Sequence, residues 1–199
     1  MGRFLAGLIL GLLVIPVGVC VYFITGMVPV ATSAEAMPFE KTLARMGLRA
    51  HVAREAPKSA PFQADDAAYA AAAQLYRADC AVCHGLPNRP ETPVAKGMFP
   101  QPPQLFAGHG VTDDPPGETY WKIANGIRLT GMPAYSQSLS DQQMWQIALL
   151  LATERDKLPE AVKQELAKPP AAEGVTQPAN PASANPADLA NPAPPSVKK

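Results

Sequence analysis

Residues 80 to 84 read Cys80-Ala81-Val82-Cys83-His84, and this spacing limits what the surrounding chain can become. Two thiols three positions apart can each form a thioether to one of the two vinyl groups of a single porphyrin. The imidazole that follows then lies beneath the iron, which is why C-x-x-C-H marks heme fixed covalently to a chain. A cofactor bonded at three points does not dissociate, so the chain must fold around a large, flat, apolar disc.

Other uses of a C-x-x-C pair meet obstacles here. A zinc site needs two more thiol or imidazole ligands, whereas Cys20 lies in an apolar run and the remaining histidines, His51 and His109, are isolated. A thioredoxin-like dithiol opens a helix that follows a strand, and no strand pattern precedes Cys80. Covalent heme accounts for all three residues, and one motif implies one heme c.

Residues 4 to 25, FLAGLILGLLVIPVGVCVYFIT, are 22 positions without a charge. At about 1.5 Å per residue such a helix spans roughly 33 Å, close to the hydrocarbon thickness of a bilayer. A retained transmembrane anchor over 1–30 is therefore expected. Ala34-Glu35-Ala36 offers an A-x-A cleavage site, but the apolar region of a cleavable signal runs only about 7 to 15 residues. Val17-Gly18-Val19 lacks the small residue that precedes a lipidated cysteine. Flanking charge leaves orientation balanced, with Arg3 and the amino terminus against Lys41 and Arg45. The heme motif tips it: c-type heme is attached outside the cytoplasmic membrane, so the heme domain is expected on the periplasmic side. Formal net charge is zero and no basic cluster interleaves with aromatics, which argues against a nucleic-acid partner.

Residues 31–60 read as a juxtamembrane helix and linker. Within them, FEKTLARMGLRAHVARE over 39–55 puts Phe39, Leu43, Met46 and Ala50 on one helical side, with Lys41, Arg45, Arg49 and Arg54 elsewhere. That pattern suits a helix on anionic lipid, or a plain spacer. From Lys168 onward there are eight prolines, few apolar side chains, and Asn-Pro-Ala at 180, 185 and 191, too little burial to offset the entropy of ordering. Residues 159–199 are expected to be a disordered Pro/Ala-rich tail, leaving 61–158 as the folded domain.

Within that domain, Asp65 can cap an alanine-rich helix running to the heme motif. Prolines at 87, 90, 93, 100, 102, 103, 115 and 116 forbid long helices between Gly85 and Gly117, so this stretch should wrap the heme as loop. A short helix follows over Gly117–Asn125, closed by Gly126 in a left-handed conformation. Ser140 with Gln143 forms a capping-box signature for a last helix whose Met144, Ile147, Ala148 and Leu151 share one face. The fold class is all-α, with about three to four helices around the heme. Leu75, Tyr76 and Trp145 read as packing residues where the first and last helices cross. A low-spin iron needs a second axial ligand besides His84, and the residues present are Met132, Met98, Met144, His51 and His109. Met144 belongs to an apolar helix face and His51 precedes the domain.

A helix ending in C-x-x-C-H, a short Tyr-Trp helix, the Gly131-Met132-Pro133-Ala134-Tyr135 loop and a final capped helix together resemble class I cytochrome c, of the membrane-anchored single-heme kind. The resemblance covers about residues 65 to 155. It assigns the second iron ligand to the loop before the last helix, where Met132 stands. It also implies a proline carbonyl that orients His84, with Pro103 chosen and Pro102 next to it. One departure is Ala72, where family members commonly have glycine; it points to a slightly wider helix crossing. A His/Met pair raises the potential relative to two histidines. The resemblance thus implies a one-electron carrier, not an enzyme, with no small-molecule substrate, working between respiratory donor and acceptor proteins at a membrane. A heme-based gas sensor, a peroxidase-like enzyme with an open sixth position, and a dedicated cytochrome subunit are the alternatives.

Overall fold

The computed structural model describes residues 1–106 and 114–169, and every regular element among them is helical. His109 and the tail beyond Pro169 lie outside the described residues. The first helix, α1 (Gly2–Ile24), continues through Pro16. It is long and apolar enough to cross a membrane, which fits membrane anchoring.

Four helices build the core. The first, α3 (Asp66–Leu75), starts where the Asp65 carboxylate accepts from the Ala68 N–H at 2.7 Å. Its alanines let a neighbour approach closely, and Ala72 and Ala73 are fully buried. The next, α6 (Pro116–Asn125), precedes α7 (Asp141–Ala152), against which both α3 and α6 pack. The capping box is formed in full. Ser140 Oγ accepts from the Gln143 N–H at 3.3 Å, and Gln143 Oε1 accepts from the Ser140 N–H at 2.8 Å. Met144, Ile147, Ala148, Leu150 and Leu151 fill the centre.

Trp145 and Tyr76 lie in one buried cluster, with Leu75 packed against it. The Trp145 indole stacks on Tyr120 of α6, centroids 4.3 Å apart and planes at 10°, while Tyr76 meets Phe106 edge-on at 4.9 Å. Two aromatic pairs therefore hold two different junctions.

The folded core also runs past Leu158. A fourth core helix, α8 (Glu160–Ala167), buries Val162 and Leu166 against α3, inside the stretch read as tail. Charge-assisted bonds finish its carboxyl end. Arg77 pairs with Glu165 at 3.1 Å and donates to the Glu165 and Lys168 carbonyls at 3.0 and 2.9 Å, and Arg89 donates to the Ala167 carbonyl at 3.2 Å. Helix ends leave carbonyls unpaired, and cations placed there stabilise them.

The juxtamembrane helix α2 (Glu40–Glu55) is present and packs against α6. Val52 is fully buried and Ala56 nearly so. Gly117 makes this contact possible, because a Cβ there would stand 1.8 Å from the Pro57 carbonyl oxygen.

Candidate heme site

The segment bearing the thiols changes helix type as it leaves α3. A single π-helical turn, Tyr76–Cys80, leads into the short helix α4 (Ala81–His84). A π turn takes one more residue per hydrogen bond than an α turn, so Cys80 is re-aimed relative to the buried stripe of α3. Tyr76 pins this turn from within: it is fully buried, and its hydroxyl donates to the Gly85 carbonyl at 2.9 Å. Burial, with a smaller contribution from Cys80, pushes its phenol far above the ordinary value and keeps it a donor.

Pro103 and Gln104 lie across the far side of the motif. The His84 ring bonds through Nδ1 to the Pro103 carbonyl at 2.8 Å. A carbonyl can only accept, so Nδ1 carries the proton and Nε2 keeps its lone pair. Burial lowers the His84 pKa, with the Pro103 bond acting in the opposite sense. A neutral imidazole with Nε2 open is the form that binds a metal. Gln104 closes over the next residue: Gly85 has φ +70°, and a Cβ on it would stand 2.1 Å from Gln104 Oε1. Gln104 Nε2 donates to the Cys83 carbonyl at 3.4 Å.

Cys80 and Cys83 are half-buried and carry free thiols. The Cys80 thiol is pushed up to about 12, first by burial and then by Asp79 and Cys83.

A second segment comes to the same place from α6. That helix ends at Gly126, whose φ of 65° and ψ of −175° differ from the left-handed helical cap expected and are open essentially to glycine alone. The chain then folds back on itself. The Ile127 N–H donates to the Met132 carbonyl at 3.2 Å, and the Tyr135 N–H to the Ile123 carbonyl at 3.0 Å. A Cβ on Gly126 would lie 2.7 Å from the Ala134 nitrogen and 2.8 Å from the Met132 oxygen. Tyr135 joins this loop to the thiol segment, its hydroxyl donating to the Asp79 carbonyl at 2.8 Å. Met132 and Cys80 both pack against the buried core.

Met98 reaches the same loop. Its methyl carbon lies 1.9 Å from where a Cβ on Gly131 would be, so Met98 packs against the residue that precedes Met132. Two other ligand candidates, Met144 and His51, are placed elsewhere. Met144 is 1% exposed within the core, and His51 packs edge-on against Trp121 at 5.4 Å and pairs with Glu55 at 3.0 Å.

These donors fit a porphyrin iron. Among the described residues no three His, Cys, Asp or Glu side chains gather as a metal-ion site. Residues 67–151 match the family model described as cytochrome c oxidase, cbb3-type, subunit III. These residues form a c-type cytochrome domain. A search of curated proteins finds no match for the chain.

The cytochrome domain implies covalently bound heme c, a role in electron transfer, and redox partners in a respiratory chain. Its site contains three residues given no role by sequence reasoning. Tyr135 and Gln104 bridge segments 56 and 21 residues apart, and Arg77 lies just before the motif yet acts on α8. Long-range bonds of this kind leave no periodic signal. The one hint for Tyr135 is its place in the Gly-Met-Pro-Ala-Tyr loop.

Proposed function

We propose that the chain is a membrane-tethered electron carrier holding one heme c on the periplasmic face. In this reading Cys80 and Cys83 would hold the heme through thioethers, His84 Nε2 and Met132 Sδ would hold its iron, and Pro103 fixes the histidine ring. Heme supplies one-electron exchange between ferrous and ferric iron. The polypeptide supplies rigidity: Pro103 holds the imidazole, Tyr76 pins the end of the motif, and Tyr135 ties the Met132 loop to it. With heme bound, these ties would keep the residues that hold the iron in place, and small reorganisation would permit fast transfer. The thioether ligand raises the potential relative to two imidazoles, which suits a late step in a respiratory chain.

The observation that carries this reading is the His84–Pro103 hydrogen bond, which leaves Nε2 free on a neutral ring. Electrons would enter from a quinol-oxidising or dehydrogenase complex and leave to a terminal oxidase, with the chain a free carrier or a dedicated subunit. Pull-down from gently solubilised membranes separates those two arrangements.

The test is optical. The full chain, matured in cells that attach c-type heme, is compared with Met132→His and Met98→Leu. The carrier reading predicts a far-red ferric charge-transfer band lost in Met132→His and kept in Met98→Leu, and a ferrous spectrum unmoved by carbon monoxide. A five-coordinate spectrum, or ready carbon monoxide binding, overturns it in favour of a sensor or peroxidase-like enzyme.

A further inference from the structure

The two sides of α2 face different surroundings. One side of its second half is held against the cytochrome domain. Near its start the Lys41 ammonium lies 5.6 Å from the centre of the Phe99 ring. Leu48 is half-buried at mid-helix, and Val52, Ala56, Pro57 and the His51–Trp121 contact complete the junction with α6. The opposite side is exposed among the described residues. Leu43 and Met46 are 64% and 63% exposed, and Phe39, just before the helix, is 76% exposed. At 100° per residue Leu43, Met46 and Ala50 point about 180° away from Val52 and Leu48.

We propose that this outer stripe seats α2 in the headgroup boundary of an anionic bilayer, so that the cytochrome domain is held in one orientation instead of swinging on its anchor. Three observations identify lipid as the occupant. The helix carries Lys41, Arg45, Arg49 and Arg54 against Glu40 and Glu55, a balance of 4 − 2 = +2. Arg49 and Arg54 are exposed at the edge of the stripe and within it, where they complement lipid phosphates. Residues 25–39 alone separate α2 from the span candidate α1, and a flexible tether of that length has a root-mean-square reach of roughly 20 Å. The apolar stripe therefore never leaves the neighbourhood of the membrane.

The seating has a consequence for the site. Phe99, under Lys41, follows Met98, whose methyl packs on Gly131. A helix flat on the bilayer holds that edge of the domain close to the membrane surface, where partners embedded in the same bilayer lie. The inference rests on α1 being a membrane anchor but not on which residue is the sixth ligand.

The experiment uses the full-length, heme-loaded chain, one per lipid nanodisc. A nitroxide is placed at Leu43→Cys or, as control, Lys157→Cys, both with Cys20→Ser. In discs of phosphatidylglycerol and phosphatidylcholine, the label at 43 is expected to be shielded from a water-soluble nickel chelate and accessible to oxygen, while the label at 157 stays accessible to nickel. Replacing Arg49 and Arg54 by Gln is expected to lower the ratio of seated to free helix about 25-fold, roughly fivefold per arginine. Nickel accessibility at 43 equal to that at 157 overturns the proposal. Shielding unchanged by the double substitution overturns the proposal that anionic lipid seats the helix. The heme spectrum read on the same discs reports separately on the carrier reading and on folding.

Discussion

The hydroxyl of Tyr135 donates to the carbonyl of Asp79 at 2.8 Å. This one bond joins the loop that presents Met132 to the residue preceding Cys80, so the two halves of the site are tied to each other as well as to the core. A single neutral hydrogen bond contributes about 0.5–1.5 kcal/mol net. Tyr135→Phe should therefore lower stability by about 1 kcal/mol, measured by denaturant unfolding. It should also let the far-red ferric band fade at lower temperature than in the parent. A variant with the parent's stability and band would show that the bond does not tie the loop.

Tyr135 also gives the site a pH dependence. Its phenol is pushed up to about 12 by burial first, with Cys80, Asp79 and Cys83 adding to the shift. A folded value above the unfolded one favours the protonated form. The stabilisation is thus fully present below about pH 10, the unfolded value, and is lost as pH rises toward 12. Unfolding midpoints across this window should fall more steeply for the parent than for Tyr135→Phe. Parallel curves would exclude the phenol as the titrating group.

Gly126 is the hinge on which the Met132 loop folds back. Any side chain there meets the backbone of Met132, Pro133 and Ala134 within 2.8 Å, in a conformation with φ +65°. The neighbouring atoms are backbone and cannot rotate away, so Gly126→Ala should cost at least ~2 kcal/mol, within the range for strained backbone. The loop should also move, weakening the far-red band before global unfolding. Unchanged stability in the alanine variant would contradict this geometry.

How much of this was legible in the sequence depends on how local each feature is. The Ser140–Gln143 capping box spans four residues and could be read directly, as could the Asp65 cap and the thiol motif. The Trp145–Tyr120 stack depends on which two helices become neighbours, and a helical wheel for one of them does not contain that information. Similarly, α8 shows only Val162 and Leu166 as a buried pair, and its carboxyl end is held by Arg77 and Arg89, 88 and 78 residues before the carbonyls they reach. The Pro/Ala-rich composition that follows it hid the helix. At the site, no local pattern points to the carbonyl that His84 reaches 19 residues away; that expectation came from family resemblance alone.

The position of α8 yields a prediction about where the folded chain ends. Val162 and Leu166 are 1% and 2% exposed, and burying such a side chain is worth about 1.5–3 kcal/mol. A chain ended after Leu158 should lose ~2 kcal/mol or more relative to one ended after Pro169, after allowing for the entropy of ordering the helix. Thermal or denaturant unfolding of the two heme-loaded truncations distinguishes them, and coincident curves would place α8 outside the cooperative unit.

The account depends most on covalent heme at the thiol motif, and intact mass spectrometry tests that directly. Purified from cells able to attach c-type heme, the chain should exceed its polypeptide mass by one heme. That heme should survive acid–acetone extraction and map to the peptide containing Cys80, Cys83 and His84, and it should be lost from Cys80→Ser/Cys83→Ser. A colourless chain at its polypeptide mass, or heme released by extraction, would contradict it.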